Sequence, residues 1–294
     1  MKKGGCAVFA QNFPLSRVTS LGVGGPADYF ARPTSTDELI AALRFAEERG
    51  LEITVLGYGT NVLVRSGGIR GLVIQLADNF AHVSVDKAII TASAGCMFGS
   101  VSKLAAYHSL SGLEFAVGIP GGIGGALFMN AGAYDGEIGP LVRRVDFVTA
   151  SGTGTWDADE FTFSYRFSRA QQEKVVVTSV TLELQPSNQR EILAKMEDLQ
   201  ARRRARQPLE FPSAGSTFKR PAGHYVGPMI EQAGLKGLRI GGAEVSTKHA
   251  GFIINRGNAT SDDFLELIAY IQREIKQRFD VELEPEIRIL GCDQ

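Results

Sequence analysis

The amino-acid sequence predicts an α+β fold built from more than one compact part. At 294 residues the chain is too long for one small core and suits two or three packed subdomains. Segments with helical spacing of apolar residues occur beside segments in which apolar and polar residues alternate, as in strands. Internal repeats and low-complexity tracts are absent, which excludes a solenoid and leaves a mixture of helices and strands around ordinary cores.

Composition limits the classes of partner. Hydrophobic residues make up 44% and charged residues 21%, without a run that could cross a bilayer, so we expect a soluble, cytoplasmic protein without a membrane partner. The formal net charge of −1 gives no general attraction for nucleic acid. Cys6, Cys96 and Cys292 are too few and too scattered for a disulfide framework or a metal site.

The first predicted elements surround a glycine-rich loop. Ser35 and Glu38 have the spacing of a capping box, and the helix that they begin would end at Gly50. Two short apolar runs follow, Ile53–Leu56 and Gly71–Leu76, and they predict strands on either side of the loop.

The middle of the chain predicts antiparallel structure. Alternation from His82 to Ser93 indicates a hairpin, and Gly99–His108 has the spacing of a helix. Val142–Thr149 and Val175–Leu184 alternate most strongly and predict two further strands.

The remaining chain predicts three helices and a final strand. The helices are Gln189–Arg206, a polar-faced segment, a short one near Pro228–Ala233, and Ser261–Phe279. The strand is Glu286–Leu290.

Two glycine-rich segments are candidate ligand sites. Leu56–Val64 places glycines, a threonine and an asparagine directly after a strand, which suits a phosphate, although it lacks the spacing of a Walker loop or a dinucleotide fingerprint. Gly118–Tyr134 concentrates glycines among apolar residues, which suggests a flat group or a pyrophosphate close to the backbone. For each segment a purely structural turn stays open as the alternative.

Together with Thr19–Ala27, these segments resemble the flavin-binding half of the UDP-N-acetylenolpyruvoylglucosamine reductase family. The resemblance implies non-covalent FAD between two α+β subdomains, with its pyrophosphate on Gly57–Asn61. Thr60 stands where the family more often has serine, and Ser66 where aspartate is common. The cofactor-binding residues that it implies are Gly57, Tyr58, Gly59, Thr60, Asn61, Val62, Leu63, Gly118, Pro120, Gly121, Gly124, Gly125, Asn130, Gly132 and Ala133.

The resemblance also implies a domain division. Residues 1–76 and 77–187 would be the two FAD-binding subdomains, and 188–280 a C-terminal substrate-binding domain. Residues 281–294 would return to the first subdomain.

Three further motifs carry the implied chemistry. Ser216 in Pro212–Pro221 matches the proton donor, and Arg166 in Phe163–Ser168 matches the partner of the substrate carboxylate. Glu286 matches the catalytic glutamate, although Glu284, Glu286 and Arg288 would share one face of the final strand. Without the motif match, Ser216 would be interpreted as an ordinary loop serine, Arg166 as a surface cation and Glu286 as an edge-strand charge.

The implied reaction is reduction of the enolpyruvyl group of UDP-N-acetylglucosamine enolpyruvate by NADPH through FAD, in peptidoglycan precursor synthesis. Only Phe167–Lys174 separates the Tyr-Arg motif from the next strand, so the chain resembles the shorter family type, which lacks an extra loop there. Further candidate substrate contacts are Tyr165, Arg206, Lys219, His249 and Arg288. For most of the basic run Arg202–Arg206 a solvated helix face is the simpler interpretation.

Two other functions are also compatible with the sequence. One is a flavin oxidase that uses oxygen, although Gly57–Gly71 contains no histidine or cysteine for covalent flavin attachment. The other is a nucleotide-sugar-binding module without catalysis, against which the presence of Arg166, Ser216 and Glu286 together argues. We expect a monomer or a weak oligomer.

Overall fold

The computed structural model of the protein describes residues 9–293, and the first eight residues, with Cys6, and Gln294 lie outside it. The chain divides into two compact units. Unit 1 contains residues 9–10, 29–58 and 71–203, and unit 2 contains residues 11–28, 59–70 and 204–293. No helix within the described residues is both long enough and apolar enough to span a membrane.

The described chain forms helices and strands in mixed order. The helices are α1 (Thr36–Glu48), α2 (Phe98–Tyr107), α3 (Ile123–Phe128), α4 (Gln189–Arg206), α5 (Val226–Gln232) and α6 (Ser261–Phe279). The strands are β1 (Ala10–Pro14), β2 (Pro26–Ala31), β3 (Ile53–Leu56), β4 (Val62–Val64), β5 (Ile69–Gln75), β6 (Val83–Asp86), β7 (Ile89–Ser93), β8 (Leu110–Ser111), β9 (Gly132–Ala133), β10 (Gly136–Glu137), β11 (Val142–Thr149), β12 (Gly152–Asp157), β13 (Phe163–Ser164), β14 (Phe167–Ser168), β15 (Val176–Glu183), β16 (Gln185–Pro186), β17 (Ser213–Ser216), β18 (Arg239–Ile240), β19 (Ala243–Val245), β20 (Phe252–Asn255) and β21 (Arg288–Leu290).

Unit 1 is built on an antiparallel sheet with the strand order β12-β11-β15-β7-β6. The strict alternation of β15 buries one face of that strand, and Val180 and Leu182 are fully buried in the largest core of the unit. A parallel pair, β3 with β5, packs with α1 in a second core of unit 1. Helix α1 begins where Ser35 accepts a hydrogen bond from the Glu38 backbone N–H, as expected for a cap.

Unit 2 is built on a four-stranded antiparallel sheet with the order β17-β20-β19-β18. Helix α6 begins with a capping box between Thr260 and Asp263, and its apolar face, with Phe264 and Ile271, is buried in the core of this unit. The last strand, β21, pairs in parallel with β4, and Arg288 lies opposite Val62.

Most predicted elements are confirmed, with ends shifted by one or two residues. Val142–Thr149, Gln189–Arg206 and Ser261–Phe279 have the predicted bounds, and the strands Val142–Thr149 and Val176–Glu183 pair antiparallel as expected. The final strand was predicted wrongly at its start. It begins at Arg288, so Glu284 and Glu286 do not alternate along it.

The physical reason for that error is Pro285. Proline has no backbone N–H for a strand ladder. The chain makes only an isolated bridge there, between Phe218 and Pro285, and then bends through Glu286. The division at residues 76, 187 and 280 stays a prediction.

Candidate active site

The first glycine-rich loop leaves strand β3 in unit 1. The Gln75 side chain donates a hydrogen bond to the Gly57 carbonyl at 3.0 Å, and the Tyr58 hydroxyl donates one to the Gly95 carbonyl, also at 3.0 Å. Burial of the Tyr58 hydroxyl raises its pKa. A Cβ at Gly57 would meet nothing nearer than the Leu76 carbonyl at 3.6 Å, so packing alone does not require glycine there.

The same loop continues in unit 2, where its role is partly structural. Gly59 has φ +64°, and a Cβ on it would lie 2.2 Å from the Val18 carbonyl, so only glycine fits this tight turn. The Asn61 side chain donates to the Glu286 carbonyl at 3.2 Å, and the Asn61 carbonyl accepts from the Arg288 backbone N–H at 3.0 Å. Asn61 therefore ties the loop to the segment that carries the predicted catalytic glutamate. Thr60 precedes it, and Val62 and Leu63 belong to β4.

The second glycine-rich segment, in unit 1, leads into helix α3. A Cβ on Gly124 would lie 2.7 Å from the Ala94 Cβ, which explains that glycine by packing, whereas a Cβ on Gly125 would meet nothing within 4 Å. A Cβ on Gly118 would lie 2.6 Å from Cδ of Arg203. Pro120 and Gly121 complete the turn before the helix. Packing thus explains some of these glycines but not Gly125, whose contact with a cofactor stays a prediction.

Arg203 is the exception in the basic run Arg202–Arg206. Its side chain passes beside Gly118, and burial lowers the pKa of its guanidinium. Arg202, Arg204 and Arg206 are exposed, in agreement with a solvated helix face for most of the run.

Asn130 has its side chain fully engaged inside unit 1. The residue is 1% exposed, its Nδ2 donates to Glu137 at 3.1 Å and to the Ser164 carbonyl at 3.0 Å, and its Oδ1 accepts from the Gly139 backbone at 3.0 Å. Gly132 and Ala133, in the adjacent short hairpin, pair with β10. Any contact of Asn130 with a cofactor stays a prediction, because its amide already holds this part of the chain together.

Arg166 lies in the two-residue turn of a small hairpin in unit 1. Strands β13 and β14 flank the turn, and Arg166 itself has φ +55°, a left-handed conformation that disfavours residues with a side chain. Its guanidinium lies 4.9 Å from the centroid of the half-exposed Tyr165 ring and donates to the Gly132 carbonyl at 3.4 Å. The cation is therefore presented at a tight, strained turn beside the β9 hairpin.

Ser216 lies at a β-bulge in unit 2. Ser213 lies opposite Ile254 and Ser216 opposite Phe252, so β17 has one extra residue between these pairs. Gly215 has φ +79°, and the space where its Cβ would lie is empty. A bulge of this kind redirects the side chain that follows it, which here is the predicted proton donor.

Glu286 is brought beside Ser216 by backbone hydrogen bonds within unit 2. The Glu286 N–H donates to the Thr217 carbonyl, and the Lys219 N–H donates to the Glu284 carbonyl, both at 2.8 Å. The serine segment and the glutamate segment therefore run side by side. Glu284, which is mostly exposed, pairs with the Lys219 ammonium at 2.5 Å, whereas Glu286 is half-buried.

The other predicted substrate contacts differ in their surroundings. His249 accepts a hydrogen bond at Nδ1 from the Gly251 backbone N–H at 3.2 Å, and burial lowers the pKa of its imidazole. Its ring packs edge-on to Phe252. Arg206 and Arg288 are exposed. Their roles, and those of Tyr165 and Lys219, stay predictions.

The structure therefore gathers Ser216, Glu286, Asn61 and Lys219 in unit 2, whereas Arg166 and the second glycine-rich segment belong to unit 1. Within residues 9–293, no three histidine, cysteine, aspartate or glutamate side chains are grouped so that they could hold a metal ion.

Sequence reasoning missed two glutamines beside these groups. Gln75 is buried, and its Oε1 has no hydrogen-bond partner among the described residues. Gln171 donates hydrogen bonds to the carbonyls of Phe128 and Arg166. Gln75 stands out as a polar residue in an apolar strand, a signal that could have identified it, but nothing in the sequence around Gln171 marks its contacts.

Two family profiles match the chain. Residues 27–156 match the profile described as FAD binding domain, and residues 207–290 match the profile described as UDP-N-acetylenolpyruvoylglucosamine reductase, C-terminal domain. The second match includes Ser216 and Glu286, and the first includes both glycine-rich segments.

Whole-chain relatives agree with these profiles. A UDP-N-acetylenolpyruvoylglucosamine reductase from Lactobacillus acidophilus is 48% identical over 292 residues, which are 99% of this chain and 97% of the relative. The Syntrophomonas wolfei reductase is 45% identical over 281 residues, 95% of this chain and 94% of the relative. The crystal structure of the Thermus caldophilus reductase superimposes with a TM-score of 0.82 at 34% identity and covers 97% of this chain and 99% of that one.

Proposed function

Since the chain belongs to the UDP-N-acetylenolpyruvoylglucosamine reductase family, we propose that Ser216, Glu286 and Arg166 carry out the chemistry of its reaction. The protein is an FAD-dependent oxidoreductase of peptidoglycan precursor synthesis. It uses NADPH to reduce the enolpyruvyl group of UDP-N-acetylglucosamine enolpyruvate to UDP-N-acetylmuramate.

The residues of unit 1 fit a bound FAD. Gly57 and Gly125 have space where a Cβ would lie, so a flat or extended group can approach the backbone at both. The Gln75 amide is anchored to Gly57 through Nε2, and its buried Oε1 can accept a hydrogen bond from a donor on that group. We assign these three residues to FAD together with the loop Tyr58–Leu63 and with Gly118, Pro120, Gly121, Gly124, Asn130, Gly132 and Ala133.

These residues would hold FAD, which would supply the hydride chemistry between NADPH and the β carbon of the enolpyruvyl double bond. The protein must then stabilise the negative charge that develops on the substrate carboxylate. The Arg166 guanidinium matches a carboxylate with two parallel hydrogen bonds, and we assign Glu286, beside Ser216, to the same developing charge.

Ser216 completes the reduction. Its hydroxyl donates a proton to the α carbon, which closes the balance of one hydride and one proton added across the double bond. The serine oxygen recovers a proton from solvent. Because a serine hydroxyl is a weak acid, the reaction depends on the electron-rich carbon that hydride addition creates.

The observation that carries this assignment is the 2.8 Å hydrogen bond from the Glu286 N–H to the Thr217 carbonyl, next to Ser216. It supports a shared role because it fixes two motifs, 70 positions apart along the chain, beside each other. We further propose Tyr165, Arg206, Lys219, His249 and Arg288 as contacts to the sugar nucleotide.

Two measurements on the purified protein test the proposal. We expect a yellow protein with a flavin absorbance spectrum, and NADPH oxidation that depends on the enolpyruvyl sugar nucleotide. A colourless protein, or turnover that consumes oxygen and ignores the sugar nucleotide, would reject it. The three-part division at residues 76, 187 and 280, a cytoplasmic location, the absence of nucleic-acid and membrane partners, and a monomeric or weakly oligomeric state remain proposals.

A further inference from the structure

The turn that presents Arg166 is held by contacts that its own motif does not include. Arg166 occupies the second position of a two-residue hairpin turn with φ +55°, a place where glycine or asparagine is usual. A residue with a side chain persists in this conformation only when its surroundings stabilise it. The neighbouring side chains should therefore include groups that oppose the strain.

Gln171 is such a group. Its Nε2 donates one hydrogen bond to the Arg166 carbonyl at 3.0 Å and another to the Phe128 carbonyl at 2.7 Å. A primary amide nitrogen has two hydrogens, so both of its donors are used. Gln171 thus links the strained residue directly to the last residue of α3.

Two further hydrogen bonds complete the link. The buried Ser168 hydroxyl donates to the same Phe128 carbonyl at 2.9 Å, and Asn130 donates to the Ser164 carbonyl at 3.0 Å. Both ends of the hairpin are therefore fixed to the segment Phe128–Asn130, which lies within the second glycine-rich segment, Gly118–Tyr134.

We infer that Gln171 is a positioning residue for substrate binding, because its amide fixes the Arg166 turn to the end of helix α3. The inference rests on the proposed role of Arg166 toward the substrate carboxylate. Gln171 acts only through the position of the arginine, so its loss should weaken binding of the sugar nucleotide and leave reduction of the flavin by NADPH unchanged.

The test uses FAD-loaded protein and the substitution Gln171→Met, which keeps an unbranched side chain of similar length but has no donor. Gln172→Met is the matched control, since Gln172 is the exposed neighbour. Calorimetric titration with UDP-N-acetylglucosamine enolpyruvate, without NADPH, measures affinity. We expect Gln171→Met to raise the Kd roughly tenfold, the size of one or two lost hydrogen bonds, and Gln172→Met to leave it unchanged.

A double-mutant cycle separates positioning from general stability. In an Arg166→Ala background, Gln171→Met should change the Kd by less than about twofold, because the residue that it positions is gone. An undiminished tenfold effect in that background overturns the inference, as does an unchanged Kd in the single variant. A fall in FAD content that matches the loss of affinity also overturns it.

Failure of the proposed role of Arg166 can be distinguished from failure of the inference about Gln171. If Arg166→Ala alone leaves the Kd unchanged, the role of Arg166 is rejected, and with it the inference. If Arg166→Ala weakens binding but the two substitutions are additive, only the inference is rejected. Should Gln171→Met not fold, Gln171→Asn keeps an amide that is too short to reach both carbonyls, and a smaller loss of affinity in the same direction is expected.

Discussion

The segments around Ser216 and Arg166 both need a left-handed residue, and they place it differently. At the bulge of β17, Gly215 takes φ +79°, so the proposed proton donor beside it, Ser216, keeps a backbone without positive φ. At the β13–β14 turn, Arg166 itself takes φ +55°. In the serine segment, glycine takes the unusual conformation, whereas in the arginine turn the residue proposed to bind the substrate takes it.

This difference follows from whether each motif has a backbone position that glycine can occupy. A bulge inserts an extra position, which glycine can fill without displacing the serine. A two-residue hairpin turn has only Tyr165 and Arg166, so no spare position exists for glycine. The arginine turn therefore depends on side chains from outside it, Gln171, Ser168 and Asn130. At the bulge, glycine itself takes the left-handed conformation.

The largest effect is expected at the serine itself. Ser216→Ala removes the proposed proton donor without changing the backbone, and it should slow the step from reduced flavin to the sugar nucleotide by roughly 10²- to 10⁴-fold. Flavin reduction by NADPH should stay near its original rate. Stopped-flow absorbance separates the two steps, and equal losses in both would argue against the assigned role.

The bulge is tested by Gly215→Ala. Because nothing lies within 4 Å of the new Cβ, the cost comes from the backbone alone and should be about 1–2 kcal/mol of unfolding free energy. Gly227→Ala is the control, since Gly227 also has open space but lies in helix α5, where alanine is favoured. Denaturant unfolding measures both, and a Gly215→Ala variant as stable as Gly227→Ala would contradict the bulge argument.

The turn is tested by comparing two substitutions at Arg166. Both Arg166→Gly and Arg166→Ala should lose substrate affinity, but the glycine variant should be more stable by about 1 kcal/mol, since glycine adopts the left-handed conformation readily. At Glu197, which is exposed in the middle of α4, the same two replacements should give the reverse order, with Glu197→Ala more stable than Glu197→Gly. Thermal unfolding decides, and the same order at both sites would remove the evidence for strain at Arg166.

Sequence patterns predicted the regular elements well because their signals are local. The alternation of Val142–Thr149 and the cap at Ser35 depend on near neighbours, and the strand and the start of helix α1 both appear where expected. The failure at Glu284–Glu286 came from extending strand alternation across Pro285, where a ladder hydrogen bond cannot form.

The candidate site was predictable only in part, for the same reason. Motif position identified Ser216, Arg166 and Glu286, because each lies in a short contiguous pattern. The contacts of Gln171 with the Phe128 carbonyl join residues 43 positions apart, and the unpaired Oε1 of Gln75 is a property of the folded interior. Local patterns carry no information about either, nor about the backbone conformation of Arg166.

The smallest effect is expected at Glu284, the carboxylate that the sequence could not distinguish by face from Glu286. Glu284 is mostly exposed and its partner is the Lys219 ammonium, and surface ion pairs of this kind contribute little. Glu284→Gln should therefore change the unfolding free energy by less than about 1 kcal/mol and the turnover rate by less than about threefold. Glu286→Gln, the same substitution two residues away, should slow turnover of the sugar nucleotide far more. Steady-state kinetics and denaturant unfolding of the two variants, measured side by side, check both expectations. The reverse order of turnover rates would assign the catalytic role to Glu284, which contacts the Ser216 segment through Lys219.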